Sequence, residues 1–377
     1  MKHDVRRHRA GRLVFALLLA MTPACVREGG APDQTAVSAS LGATGNGAMA
    51  QSRPAGSGSG PLAPPTGGVL STEPWSYGQA QGQVIRTVHY RIYTTTDDAV
   101  LRSRLPGFLE HALEHYRSAI IPLPPPPLRL DVYMMQNRPQ WDRLTRQLMG
   151  DQAATLTQIP RGGYASRGIG VFYDIGLFDT MAIAAHESWH QYTQRVFKEM
   201  LPVWLEESLA TYMEGHRWEG TTPVFVSWAN IERFDQLRQA ASENRLQSLE
   251  SLIESRPQGF LGIGDDSVLT FYAQLWALVH FLAEGEGGRY ATALRAIVSD
   301  AAEGRLGRTI AVRLGERAGA LAKSGPGAFV AYFNEDLNEA SRQYAAFVAR
   351  LAEPGSRQEI VRGKSPIRPA SAPTGTR

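Results

Sequence analysis

The sequence predicts an α+β fold, with a small mixed sheet in its N-terminal part and a bundle of helices behind it. Three observations predict it. Three runs of β-branched and aromatic residues fall before residue 175, apolar residues at helical spacing dominate after it, and stretches rich in Gly, Ser and Pro flank residues 84–352. That span divides at residue 180 into an N-terminal α/β part and a mostly helical part.

Residues 1–25 read as an export signal. Lys2, Arg6, Arg7, Arg9 and Arg12 make a basic start, Leu13 to Met21 an apolar core, and Thr22-Pro23-Ala24 a small-residue end. The core is too short to span a bilayer, which takes roughly 20 residues. Cys25, the only cysteine, follows directly, where a bacterial lipoprotein signal places its lipidated residue. Such signals usually carry Leu at the position of Thr22, so plain cleavage after Ala24 is the alternative. A single cysteine excludes an intrachain disulfide. Residues 26–83 hold hardly a large apolar residue before Trp75, which predicts a disordered tether.

The formal charge of +3 is misleading, because five of the 39 Lys and Arg and one of the 36 Asp and Glu lie in residues 1–25. The rest holds 34 against 35, a net charge near −1. No basic field and no aromatic-basic motif points to nucleic acid.

In chain order, Val84 to Tyr93 predicts a strand, and Asp97 or Asp98 caps a helix running to about Ile120 with Leu101, Leu105, Leu109, Leu113 and Tyr116 on one stripe. Pro122 to Pro127 forbids helix, Leu128 to Met134 alternates as a second strand, and a helix follows over 138–149. Gly168 to Asp174 is a third strand. His111 and His115 are four apart with Glu114 between them, but no acidic partner segment follows, so they read as a solvated or half-buried face.

The next helix, expected from Asp179 or Thr180 to Lys198, carries His186-Glu187-Ser188-Trp189-His190. Two imidazoles four residues apart project from one helix face with a carboxylate beside the first. This is the arrangement by which two neutral histidines bind zinc while the adjacent Glu takes a proton from water. Two histidines and a Glu are costly to bury in so apolar a helix unless partnered. The plain alternative is chance occurrence. A second helix over 201–215 folds back across the first, with Glu207 and Glu214 sharing a face and Glu206 about a quarter turn away.

Trp204-Leu205-Glu206-Glu207-Ser208-Leu209-Ala210-Thr211-Tyr212 resembles the Trp-Leu-x-Glu-Gly-x-Ala-x-Tyr segment of the gluzincins, zinc metallopeptidases of thermolysin-like and aminopeptidase N-like type. With its Pro-x-Trp-Leu lead-in, exported start and Tyr272 to Leu282 run, the chain is most similar to a group of bacterial exported peptidase-like proteins. The resemblance covers about residues 84–350 and is most specific within 186–215. It implies a zincin-like core, one zinc ion, and Glu207 as the third ligand beside His186 and His190, with Glu187 as general base. It further implies that Glu214 supports the ligands and that Tyr272 stabilises the tetrahedral intermediate, although Tyr272 sits in an apolar helical run that a core residue would also occupy. His280 in that run reads as core. The strand before the signature helix would be the sheet edge that pairs with an extended substrate, or an ordinary structural strand.

Two departures qualify the resemblance: Ser208 replaces the Gly, and the 16 residues between His190 and Glu207 are fewer than in aminopeptidase N-like enzymes. No Gly-x-Met-Glu-Asn-type segment precedes the helix, so aminopeptidase specificity is not implied. The expected function is peptide-bond hydrolysis on a peptide or protein substrate, in the cell envelope, with membrane contact only through an anchor at Cys25. A non-catalytic lipoprotein scaffold and a hydrolase of cell-wall amides are the other readings. Helices are expected over 290–298, 308–321 and 337–351, and a disordered basic tail over 353–377.

Overall fold

The sheet begins earlier in the chain than composition suggests. The computed structural model describes residues 68–159, 161–260, 265–317, 319 and 324–367. The export signal, Cys25, most of the expected tether and residues 368–377 lie outside the described residues. Strand β1 (Ser71–Tyr77) turns at Gly78, φ 61°, into β2 (Ala80–Arg86). The tether expected over 26–83 therefore ends by Ser71. Its last segment lacked an apolar signal because β1 is an edge strand, exposed along most of its length, where Pro74 needs no ladder donor.

The run read as one strand over 84–93 is the end of β2 and then β3 (Tyr90–Thr94). Thr87 makes the break, since its N–H donates to the Tyr90 carbonyl at 3.0 Å and its hydroxyl accepts from the Tyr90 N–H at 3.0 Å. Helix α1 (Ala99–Tyr116) follows, capped by Asp98, whose carboxylate accepts from the N–H groups of Val100 and Leu101. Its predicted stripe is buried throughout. The chain returns as β4 (Leu130–Met135), passes through α2 (Arg138–Met149) and the short α3 (Ala153–Leu156), and closes the sheet with β5 (Gly163–Ser166) and β6 (Ile169–Tyr173).

The six strands run in the order β1-β2-β3-β4-β6-β5, with β3-β4-β6 parallel and the rest antiparallel. This places β6 inside the sheet. The expectation that the strand at 168–174 is a sheet edge is therefore corrected: the edge is β5, which pairs with β6 through the hairpin at Arg167 and Gly168, both at positive φ. Alternation on the strands feeds two cores. Ile92, Val132 and Phe172 face α1 and the signature helix, while Tyr133, Val171 and Tyr173 face Trp141 and Leu144 of α2.

The signature helix α4 (Leu177–Val196) and α5 (Val203–Met213) come next, then a hairpin of β7 (His216–Glu219) and β8 (Thr222–Phe225). Four-residue strands turning at Gly220 leave too short a pattern to read from sequence. The remainder is α6 (Ile231–Ser242), α7 (Leu249–Glu254), α8 (Asp265–Gly288, kinked at Gly285), α9 (Ala291–Glu303), α10 (Leu306–Leu314), α11 (Gly325–Tyr332), α12 (Leu337–Leu351) and α13 (Ser356–Val361). The run from Phe271 to Leu282 is wholly buried at the centre of this bundle.

The expected disordered tail is corrected at its start, because α13 packs on α6 with Ile360 buried and Arg357 paired to Asp235 at 3.0 Å. One buried large side chain in six residues is too little for a periodic signal. The fold is mixed α+β, 58% helical with a small mixed sheet. Among the described residues no helix is long and apolar enough to cross a membrane.

Candidate metal centre

Helix α4 is buried from Thr180 to Thr193 except at Ala182, so both histidines and Glu187 leave solvent entirely. The turn over 197–202 sends α5 back across it, and Glu207 arrives between the imidazoles. Glu207 Oε2 lies 3.4 Å from His186 Nε2 and 3.6 Å from His190 Nε2. One ligand atom from each of the three residues falls within 4.8 Å of the others, making the one such His, Cys, Asp or Glu group found among the described residues. The Ser208 departure is accommodated locally, since its hydroxyl donates to the Trp204 carbonyl one turn back, at 2.6 Å.

The outer ring nitrogens are held by carboxylates. His186 Nδ1 is 2.6 Å from Glu214 Oε1, and His190 Nδ1 is 3.0 Å from Glu206 Oε1. Glu214, just past α5, also receives Asn230 Nδ2 at 2.9 Å and a fork from Arg233, Nη2 at 2.8 Å and Nε at 3.0 Å. Thr193 Oγ1 donates to Glu206 Oε1 at 2.6 Å. Each imidazole thus has Nδ1 engaged and Nε2 turned toward Glu207, the arrangement in which an outer carboxylate fixes the tautomer of a metal-binding histidine.

Glu187, Glu206, Glu207 and Glu214 are buried together against one buried guanidinium, Arg233. Burial alone would push both imidazoles toward the neutral form, yet Glu207 with Glu214 on His186, and Glu207 with Glu206 on His190, hold both above their usual pKa. Burial pushes the Glu187 carboxyl up to about 7 against the pull of His190 and His186. It would raise Glu207 and Glu214 too, but the charge of His190 on the first and of Arg233 on the second holds each down at about 2.

Tyr272 is brought to the site. Its ring meets His186 edge-on at 5.9 Å, and the Arg233 guanidinium sits 5.3 Å over its face. The edge strand β5 packs against α4, and its Ala165 main chain is among the groups that pull the Glu187 pKa down. His280 is not brought there; it stacks on Trp228 at 3.5 Å with Tyr212 and Trp276 around it. His111 is exposed, and His115 meets Ser227 Oγ at 3.2 Å, so the second histidine pair gathers no metal-ligand group among the described residues. A cavity of about 630 Å³ opens at the first turn of α5, lined by Glu199, Trp204, Arg256, Leu306 and Gly325 among others, but by none of the clustered residues.

Glu206, Arg233, Asn230 and Thr193 were not legible as site residues. A helical wheel turns Glu206 off the shared face of Glu207 and Glu214, and Arg233 comes from a different helix with no motif around it. What fold and site define together is a helix pair holding a buried His-His-Glu group of metal-ligand type. Residues 180–301, from the signature helix into α9, match a family described as a protein of unknown function (DUF1570). No curated protein and no solved structure matches the chain.

Proposed function

We propose that the chain is a zinc-dependent metallopeptidase with a gluzincin-type, zincin-like core, in which His186, His190 and Glu207 hold one zinc ion. The observation that carries this reading is the ligand spacing. Bonds of about 2.1 Å in a tetrahedron separate ligand atoms by about 3.4 Å, and the two Nε2 to Oε2 separations are 3.4 and 3.6 Å. Two further observations suit a dication. His190 Nε2, Glu207 Oε1 and Glu187 Oε1 are buried without a hydrogen-bond partner among the described residues, and four carboxylates are buried with one guanidinium and two imidazoles that a bound metal would keep neutral.

When bound, zinc supplies Lewis acidity and lowers the pKa of water toward neutrality. The chain's own groups do the rest. Glu187, one residue from the ligand His186 and with one oxygen uncommitted, accepts a proton from the attacking water and returns it to the leaving amine. Tyr272, whose pKa burial pushes well above its usual value, stays protonated and can donate to an oxyanion. Glu214 and Glu206 orient the ligands.

The test is Glu187→Gln, assayed on peptide libraries and on cell-wall fragments. The variant is expected to bind zinc as the parent does and to lose hydrolysis by roughly 100- to 10,000-fold. Unchanged turnover would defeat the mechanism, and a parent protein that binds zinc but cleaves neither substrate class would favour a scaffold.

A further inference from the structure

Leu70, Val88 and Leu128 are 56%, 52% and 63% exposed, and all three stand at one end of the sheet. Backbone pairing brings their segments together. The Leu70 N–H donates to the Arg86 carbonyl at 2.7 Å, the Arg129 Nε to the Thr87 carbonyl at 2.9 Å, and the Leu130 N–H to the His89 carbonyl at 2.8 Å. Because Tyr90 and Leu130 are partners in the parallel ladder, Val88 and Leu128 come level just before it.

The loop that carries Leu128 is held in this form. Pro122 and Pro124 to Pro127 have fixed φ angles. The Leu123 N–H donates to the Arg117 carbonyl at 2.9 Å, Arg117 Nε returns a bond to the Leu123 carbonyl at 3.2 Å, and the Tyr192 hydroxyl of α4 donates to the Pro124 carbonyl at 2.6 Å. Leu123 and Pro126 are turned inward, while Pro124, Pro125, Pro127 and Leu128 are left in water. Single exposed leucines are ordinary on a protein surface, but a gathered and rigidly held apolar group marks a face that something covers.

Charge and chain connection indicate what covers it. From His115 to Leu130 the chain carries Arg117 and Arg129 and no carboxylate. Arg129 is exposed and pairs with no carboxylate among the described residues, while the carboxylates beside it are committed, Glu110 to the His89 ring at 2.7 Å and Glu73 to Arg86. Apolar side chains around an uncompensated cation fit the headgroup boundary of an anionic bilayer, where the side chains enter the acyl region and the guanidinium meets phosphate. Residues 26–67 join the fold at Gly68, two residues before Leu70, so an acyl group on Cys25 would be tethered to this same end of the domain.

We propose that Leu70, Val88, Leu128 and Arg129 form a docking face by which the folded domain rests on an anionic lipid surface. This contact is separate from an anchor at Cys25 and independent of the metal-centre reading. Because Tyr192 ties the loop to the C-terminal half of α4, docking sets that end of the signature helix toward the bilayer.

The experiment uses the exported chain with Cys25→Ser, which carries no acyl group and no other cysteine. Partition onto vesicles is measured by co-sedimentation, with phosphatidylethanolamine and phosphatidylglycerol in one set and phosphatidylcholine alone in the other. The parent should bind the first set and bind the second more weakly. Val88→Ser with Leu128→Ser should weaken binding to the anionic vesicles about 10-fold. Arg129→Gln should weaken it about five-fold and change nothing on phosphatidylcholine. Val312→Ser, which trims a still more exposed side chain on α10, should bind as the parent does. A polarity-sensitive dye on Leu128→Cys should shift to the blue with vesicles, and one on Val312→Cys should not. The substituted side chains are exposed, so circular dichroism should match the parent throughout. No binding by the parent, or unchanged binding by the double variant, overturns the proposal. A dye on Leu128→Cys that responds to protein concentration and not to vesicles overturns it in favour of contact between copies.

Discussion

Arg233→Met is the sharpest test of the electrostatic account. Arg233 is about 1% exposed and forks onto Glu214, which is itself hydrogen-bonded to His186 and Asn230. Its guanidinium also covers the Tyr272 face at 5.3 Å. Removing one partner of a buried ion pair leaves the other charge without compensation and costs about 3–5 kcal/mol. Against a typical domain stability of about 5–15 kcal/mol, that is a large share. Glu214→Gln should cost a comparable amount by stranding Arg233. The double variant Arg233→Met with Glu214→Gln should cost less than the sum of the two, because neither residual charge is left buried, with a coupling energy of about 1–3 kcal/mol. Urea unfolding of the metal-free protein, followed by circular dichroism, measures all three. Single variants within about 0.5 kcal/mol of the parent, or strict additivity, would refute the claim that this pair is a buried, mutually compensating unit.

Other consequences can be checked on the same material. His280 is fully buried, and burial lowers its pKa to about 3. The folded form therefore refuses a proton that the unfolded chain takes up below pH of about 6.5, so stability should fall from there toward pH 3 at up to about 1.4 kcal/mol per pH unit. His280→Phe should flatten that slope in pH-dependent unfolding; an unchanged slope contradicts the assignment. A Cβ on Gly325 would lie 1.9 Å from the Ile253 carbonyl oxygen, so Gly325→Ala should destabilise by about 1–3 kcal/mol. Gly259→Ala, with nothing within 4 Å, is its control. Tyr272→Phe should leave zinc binding intact and lower turnover about 10- to 1,000-fold, and parental turnover would reduce Tyr272 to a core residue.

How far the sequence could be read follows from where its signals sit. His186, Glu187, His190 and Glu207 occupy two consecutive helices, so helical periodicity places them on facing surfaces, and the structure brings them together. Glu214, seven residues beyond Glu207, is brought beside His186 Nδ1 by the same periodicity. Arg233 and Asn230 come from α6, and no spacing rule relates a helix to a neighbour reached through a hairpin and a loop. The edge strand was misplaced because glycine content marks Gly168 to Asp174 for close approach, whereas sheet order depends on pairing between β4 and β6, separated by more than thirty residues. β1 and α13 were missed because each buries too little to leave a pattern.

The central claim is that His186, His190 and Glu207 form one metal site. Metal analysis of the purified chain beside His186→Ala and Glu207→Ala, with thermal unfolding before and after chelator, tests it most directly. The account predicts one zinc per chain in the parent, substoichiometric metal in both variants, and a drop in melting temperature on chelation in the parent alone. A parent chain that retains no divalent metal after loading, and melts at the same temperature with and without chelator, would contradict it.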